Sequence, residues 1–190
     1  MPLARRSLIK VTLPLLAGAC SSSPEPALYT VQMKPGPVLQ GGPKVVQLRD
    51  ISLANYLDRK EIVGSSGDYK LAVKSNDWWG EGLAQMLSRV IVTGLSQRLP
   101  ASQVTAEGSA ISVDPNAVLG VNIQRLDLDS SGTLQLLAQA GVEFNRPRRN
   151  AARSFQIART PASATTAGEV AAISDAVGEL TDGLAQMLAS

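Results

Sequence analysis

Two groups of residues in this 190-residue sequence could take part in covalent or acid–base chemistry: the only cysteine, Cys20, and two carboxylates, Asp127 and Asp129. A cysteine can act as a nucleophile or an acyl acceptor, and two carboxylates on one strand face can act as acid and base. The sequence contains no histidine, which excludes Ser-His and Cys-His nucleophile pairs and the usual zinc ligand sets. We therefore predict no catalytic, cofactor or metal site, and we expect both aspartates to be solvent-facing charges beside a turn.

Cys20 follows a segment that is typical of a secretory signal peptide. Residues 1–19 begin with basic side chains, continue with a short apolar run and end in small residues. The apolar run is much shorter than the ~20 residues that span a bilayer. The stretch from Leu16 to Cys20 resembles a bacterial lipobox, in which the cysteine becomes the lipidated first residue, although Ala17 stands where a larger apolar residue is usual. The alternative is an ordinary cleavage near Ala19 that leaves a free thiol.

The rest of the chain predicts a short tether and one domain. Residues 20–28 are rich in serine and proline, which is typical of a flexible, partly extended linker. Residues 29–190 are enough for a single domain with a real core. Without residues 1–19 the chain carries 15 basic and 16 acidic side chains, so its charge gives no indication of nucleic-acid binding.

Alternating and helical patterns predict a sheet with two helices. We expect strands at 29–33, 44–51 and 69–73, an irregular segment at 52–63, and a helix from Trp78 to about Arg98 that Asn76 or Asp77 caps. In the 69–73 strand, Tyr69, Leu71 and Val73 are expected to form the buried face.

The second half predicts a meander followed by a helix. We expect strands at 118–129, 134–144 and 154–159, with a bulge near Arg125 where the apolar pattern changes phase. A capping box at 166–169 would start a helix that reaches Leu188.

The hexapeptide at 82–87 recurs at 183–188, which indicates either an internal repeat or coincidence among common helix formers. The predicted fold class is α/β (α+β): a single domain with a mainly antiparallel sheet, two principal helices packed on one face, and a two-fold internal repeat as an open alternative.

Several of these features together resemble the ABC-type transport auxiliary lipoproteins, the PqiC/YmbA family. The features are the lipobox, the Tyr29-Thr30 strand, Tyr56-Leu57-Asp58-Arg59 followed by Glu61-Ile62-Val63, and the step through Trp78-Trp79. Lys60 departs from the proline that is expected after the arginine.

The resemblance implies a lipoprotein that carries lipid, such as palmitate, on Cys20 and has no other cofactor. It implies anchoring in the outer membrane of a Gram-negative bacterium, facing the periplasm, and Ser21 suits sorting to that membrane. The implied partner is an MCE-domain protein of a lipid-transport system that maintains membrane integrity, with self-association as a further expectation. The implied role is non-catalytic: to anchor or complete the periplasmic conduit. The alternatives are a periplasmic module that itself shields an acyl chain and an assembly or chaperone lipoprotein.

Three groups of residues are candidates for contact with a partner or membrane. Tyr56, Leu57, Asp58 and Arg59 would form a docking loop or, alternatively, a crossover that plugs the core. Trp78 and Trp79 would point in different directions, one inward and one to a partner, unless both lie under the Tyr56 loop. A third group, Arg146, Arg148 and Arg149, would meet anionic head groups or an acidic partner, or form a solvated hairpin tip.

Overall fold

The computed structural model describes residues 25–65, 69–110 and 113–190. The predicted signal peptide at 1–19, the lipidation site at Cys20 and most of the 20–28 tether lie outside the described residues. Residues 66–68, between the irregular segment and the strand predicted at 69–73, lie outside them as well.

The described residues form two helices and two sheets, which confirms the predicted single α+β domain. In chain order the elements are β1 Ala27–Tyr29, β2 Val45–Leu48, β3 Ser52–Leu53, a 3-10 helix Asn55–Leu57, β4 Glu61–Ser65, β5 Leu71–Trp79, α1 Leu83–Arg98, β6 Gln103–Ala106, β7 Ala117–Leu128, β8 Leu134–Asn145, β9 Arg148–Arg159 and α2 Thr166–Ala189.

The main sheet has the order β6-β2-β7-β8-β9, and β3 also pairs with β7. The long strands β7, β8 and β9 form the predicted antiparallel meander, whereas β2 pairs in parallel with both β6 and β7. The register between β7 and β8 shifts between Ile123 and Arg125. This bulge, predicted from the phase change, places Leu126 opposite Leu136 so that both side chains are buried on the same face.

The second sheet has the order β1-β5-β4, and its central strand corrects two predictions. Trp78 and Trp79 end β5 instead of opening a helix, and α1 begins at Leu83 after the Gly82 cap. The Trp79 amide donates to the Lys60 carbonyl at 2.7 Å, so strand pairing outweighs the helical pattern, which two nearby glycines weaken.

The start of β5 corrects a third prediction. Tyr69, Leu71 and Val73 were expected to be buried, but all three are exposed. Their alternation with Lys70, Ala72 and Lys74 is typical of a half-buried strand. The sequence does not indicate that this end of the hairpin is left uncovered by the other described elements.

Both helices share one apolar core with the sheets. The apolar residues that recur every three or four positions along α2 are buried, as the helical pattern predicts. Helix α2 packs against β8 and β9, and α1 packs against α2. The cap is Thr165, whose hydroxyl accepts from the Gly168 amide at 3.1 Å, and not the predicted box that starts at Thr166. The recurring hexapeptide lies at the start of α1 and the end of α2, so it does not mark equivalent positions of a repeat.

Residues 30–43 form an extended strap across both helices, where a strand to residue 33 was predicted. The Gln32 amide donates to Ser174 of α2 at 3.1 Å, and the Leu39 amide donates to the carbonyl of Arg98 in α1 at 2.7 Å. Gly36 exchanges two hydrogen bonds with the Gln97 side chain, at 2.9 and 3.0 Å. The strap therefore joins β1 to the far ends of the helices, and the strand predicted at 29–33 is confined to Ala27–Tyr29.

Candidate functional site

Tyr56 closes one end of the main sheet instead of projecting to a partner. It lies in the 3-10 helix, and its hydroxyl donates to Oδ2 of Asp127 at 2.6 Å. Arg125 donates to the other oxygen of this buried carboxylate at 2.8 Å. Burial, together with the Asp127 carboxylate, raises the pKa of Tyr56 well above its ordinary value of 10.0. Asp127 is therefore a structural acceptor, and the prediction that it faces solvent is wrong.

The rest of the predicted docking loop divides between core and surface. Leu57 is buried in the core, whereas Asp58 and Arg59 are exposed. Arg59 pairs with Glu61 at 3.2 Å. Each interpretation of this segment therefore describes part of it. Tyr56 and Leu57 pack inward, and Asp58 and Arg59 form an accessible surface.

Trp78 and Trp79 point to opposite faces of the small sheet, as neighbouring strand residues must. Trp79 is buried, and Trp78 is half-buried with its indole N–H donating to the Ser75 carbonyl at 2.9 Å. The Lys60 ammonium lies 3.8 Å from the centre of the Trp78 ring, in a cation–π contact.

Trp78 is the centre of a row across the three strands. It is in register with exposed Leu28 on one side and with Glu61 on the other. We refer to the surface that these residues form with the neighbouring cations as the Trp78 patch: Leu28, Arg59, Lys60, Glu61 and Trp78. An aromatic ring between an apolar and a charged border is typical of protein interfaces.

The arginine turn, defined as Arg146, Arg148 and Arg149, is exposed at the β8–β9 connection. The Arg149 guanidinium lies 3.7 Å from the centre of the Phe144 ring and donates to the Ser190 carbonyl at 2.5 Å. Lys44 and two of these arginines border an open hollow of about 370 Å³ beside the end of α2. The hollow therefore offers fixed positive charge to an acidic group.

Helix α2 separates the arginine turn from the small sheet. At its N-terminal end, Thr166 donates to Asp77 of β5 at 2.7 Å and accepts from Lys74 at 3.1 Å. At its C-terminal end, Ser190 contacts the arginine turn. The 24 residues of α2 span ~36 Å at ~1.5 Å per residue. The arginine turn and the middle of β5 therefore lie at opposite ends of α2.

An open groove of about 770 Å³ lies on the face of the main sheet that is turned away from the helices. Its floor is a row of small residues in register, Gly120, Gly141 and Ala152. Polar side chains such as Asn122 and Gln139 border the floor. The groove is open to solvent and is lined by both polar and apolar groups.

Two buried ion pairs join the elements and were not predicted. Arg98 of α1 is almost fully buried and donates to Asp182 of α2 at 2.5 Å. Glu169, equally buried in the first turn of α2, pairs with Lys74 of β5. No periodicity distinguishes these charges from surface charges. The related signal in the sequence is Gly36, which stands between two prolines in the strap, where Arg98 approaches the backbone closely.

Neither a metal site nor a membrane-spanning helix is present in the described ranges, 25–65, 69–110 and 113–190. No group of three or more His, Cys, Asp or Glu residues in these ranges could hold a metal ion. No helix in them is long and apolar enough to cross a membrane.

The fold is similar to that of solved structures at low sequence identity. An uncharacterised protein has a TM-score of 0.71 at 15% identity, with 86% of this chain and 99% of that chain covered. Protein XCC0632 of Xanthomonas campestris, of the DUF330 family, also has a TM-score of 0.71, at 21% identity, with 85% and 94% covered. These likenesses show the fold alone.

The sequence comparisons identify the family. No curated protein matches the chain. The model of one family, described as ABC-type transport auxiliary lipoprotein component, matches residues 29–185, which is nearly all of the predicted mature domain. This chain belongs to the family of ABC-type transport auxiliary lipoprotein components.

Proposed function

We propose that this protein is a non-catalytic scaffold of an MCE-type lipid-transport system, anchored by lipid on Cys20 to the outer membrane and facing the periplasm. In this role it holds or completes the periplasmic conduit, and the partner proteins move the lipid. Family membership supports the general role of an auxiliary transport lipoprotein.

The observation that carries the scaffold role is the filled interface between the helices and the main sheet. Large side chains of both layers occupy it and are fully buried, among them Leu119, Leu136, Ile91, Leu180 and Leu184. A site for an acyl chain needs an apolar cavity of several hundred Å³. The groove of about 770 Å³ described above is instead open to solvent and lies on the opposite face of the main sheet.

The distribution of exposed groups supports docking of a partner at the arginine turn. Phe144 and the Ser190 carbonyl hold Arg149 in place, so little side-chain entropy is lost when a carboxylate binds there. Arg146 borders the hollow as well, and Arg148 adds exposed charge on the same turn. The length of α2, ~36 Å, separates the turn from the contacts of Thr166 with β5. We therefore propose that the turn binds an acidic partner surface.

The test is a crosslinked pull-down of the full-length lipoprotein from native envelopes, with lipids extracted from the same sample. A Cys20→Ala chain is the matched control, because it keeps the domain and loses the proposed anchor. We expect an MCE-domain protein to be recovered with the wild type, without stoichiometric phospholipid on the purified lipoprotein.

Two outcomes would contradict the proposal. One phospholipid per chain that survives removal of the partners would indicate a lipid-binding module. Enrichment of a different outer-membrane protein, without an MCE-domain protein, would indicate an assembly or chaperone role.

A further inference from the structure

The hairpin of β4 and β5 exposes apolar side chains at the start of β5. We refer to them as the apolar tip: Tyr69, Leu71 and Val73. Tyr69 is fully exposed, and Leu71 and Val73 are 48% and 43% exposed. Ala72, between them, is exposed as well, so both faces of this end of the hairpin meet solvent. Neither the core nor the partner surfaces assigned above use the apolar tip.

The pairing of β1 sets the direction from which the N-terminal chain reaches the domain. β1 runs parallel to β5, with Ala27 opposite Asp77 and Tyr29 opposite Trp79. In a parallel pair, residues that precede Ala27 lie toward the start of the neighbouring strand. The chain therefore enters β1 from the side of Leu71 and not from the side of the Trp78 patch.

The length of the chain before β1 matches the distance to the apolar tip. Seven residue steps separate Cys20 from Ala27, and an extended chain covers at most ~3.6 Å per step, or ~25 Å. Six steps separate Asp77 from Leu71 along β5, or ~20 Å at ~3.3 Å per residue. A cysteine held at a membrane surface thus has enough chain to bring the apolar tip to the same surface.

We propose that the apolar tip inserts into the interfacial layer of the phospholipid bilayer that holds the Cys20 lipid. The tip is then a second contact with the membrane that orients the domain, with α2 pointing the arginine turn away from the bilayer. A tyrosine beside aliphatic side chains suits this layer, because its ring is apolar and its hydroxyl stays hydrated. The inference rests on the proposed lipid anchor at Cys20.

The experiment uses the full-length lipidated chain, in which acylation blocks the Cys20 thiol and leaves an introduced cysteine as the only reactive one. Tyr69→Cys and Leu71→Cys variants carry an environment-sensitive fluorophore and are reconstituted into phosphatidylethanolamine–phosphatidylglycerol vesicles. The matched control is Val38→Cys, because Val38 is 55% exposed and lies in the strap beside the C-terminal end of α1. A spin-labelled lipid with its quencher near the head group then reports contact with the bilayer.

We expect a blue shift and loss of most of the emission at positions 69 and 71 when the quencher lipid is present, and little change at position 38. Equal quenching at all three positions, or none at 69 and 71, would overturn the inference. A blue shift without lipid quenching would also overturn it, because a second copy of the chain would then cover the tip. Thiol labelling of the wild type would instead show that Cys20 is free, which refutes the proposed anchor itself.

Discussion

Arg98, the last residue of α1, donates to Asp182 of α2 at 2.5 Å from a site that is 1% exposed to solvent. The same guanidinium donates to the carbonyls of Gly94 at 3.1 Å and Gly178 at 3.0 Å. One buried side chain therefore joins the two helices and satisfies two backbone acceptors between them. Burial of a charge costs free energy unless it is paired in this way.

The Arg98→Met substitution is expected to lower the free energy of unfolding by about 3 kcal/mol, because it leaves Asp182 and two carbonyls without their donor. Chemical denaturation of the soluble domain measures this change. Arg89→Met on the same helix is the control, since Arg89 pairs with Glu81 on the surface and such pairs contribute ~0–1 kcal/mol. Equal losses for the two variants would refute a special role for Arg98.

A side chain at position 36 is expected to destabilise the domain by about 1–3 kcal/mol, as overpacking of a filled site does. The added Cβ of Gly36→Ala would overlap the Asp182 carboxylate and the Arg98 guanidinium. Gly80→Ala is the matched control, because its Cβ would lie at an ordinary 3.5 Å from the nearest atom, the Tyr29 carbonyl oxygen. Thermal unfolding of both variants distinguishes close packing from a general effect of losing glycine.

Loss of the Tyr56 hydroxyl is expected to lower the free energy of unfolding by about 1–3 kcal/mol, because a buried hydrogen bond to a charged group is lost. Tyr56→Phe keeps the ring and leaves the buried Asp127 with Arg125 alone. Denaturant titration measures the loss. Tyr69→Phe removes the same atom from a fully exposed ring and should leave stability unchanged.

The raised pKa of Tyr56 also predicts how the stability of the fold responds to alkaline pH. Its folded-state pKa is raised above the ordinary value of 10.0, so the folded protein holds this proton longer than the unfolded chain does. The stabilisation is complete below pH ~10 and is lost as pH rises above that value. Wild type and Tyr56→Phe should therefore converge in stability as the pH is raised. A constant difference up to pH 11 would contradict the assignment.

Asp129 stabilises the β7–β8 turn while its carboxylate is ionised. Its carboxylate accepts from Ser131 Oγ at 2.6 Å and from the Thr133 amide at 3.1 Å, and the Ser131 bond leads the causes that lower its pKa to about 2. The contribution is present above the ordinary value of 3.8 and is lost as pH falls through about 2. NMR titration of Ser131→Ala should show the pKa of Asp129 rising toward 3.8.

Removal of charge from the arginine turn is expected to weaken capture of the partner without unfolding the domain. Arg146→Ser with Arg148→Ser changes only exposed side chains and keeps Arg149, which contacts Phe144. Lys34→Ser with Arg89→Ser removes the same charge from the strap and from α1 and serves as the control. The amount of crosslinked partner relative to wild type is the measurement. Equal recovery with both double variants would refute docking at this turn.

The sequence by itself determined the elements that rest on local periodicity. The meander of β7, β8 and β9, its bulge before Arg125 and the apolar seam of α2 follow from side chains that alternate every two residues or recur every three to four. The predicted lipobox at Cys20 is also local, as is the motif from Tyr56 to Arg59 that indicated the family.

Tertiary structure decided what depends on partners distant in the chain. Trp78 and Trp79 belong to a strand because β1 and β4 pair with β5 there, and Tyr69 is exposed because no other described element covers the hairpin. The buried charges Arg98 and Asp127 are held by residues 84 and 71 positions away. Such long-range contacts offset the free-energy cost of desolvating these charges only in the folded chain. No local sequence pattern therefore reveals them.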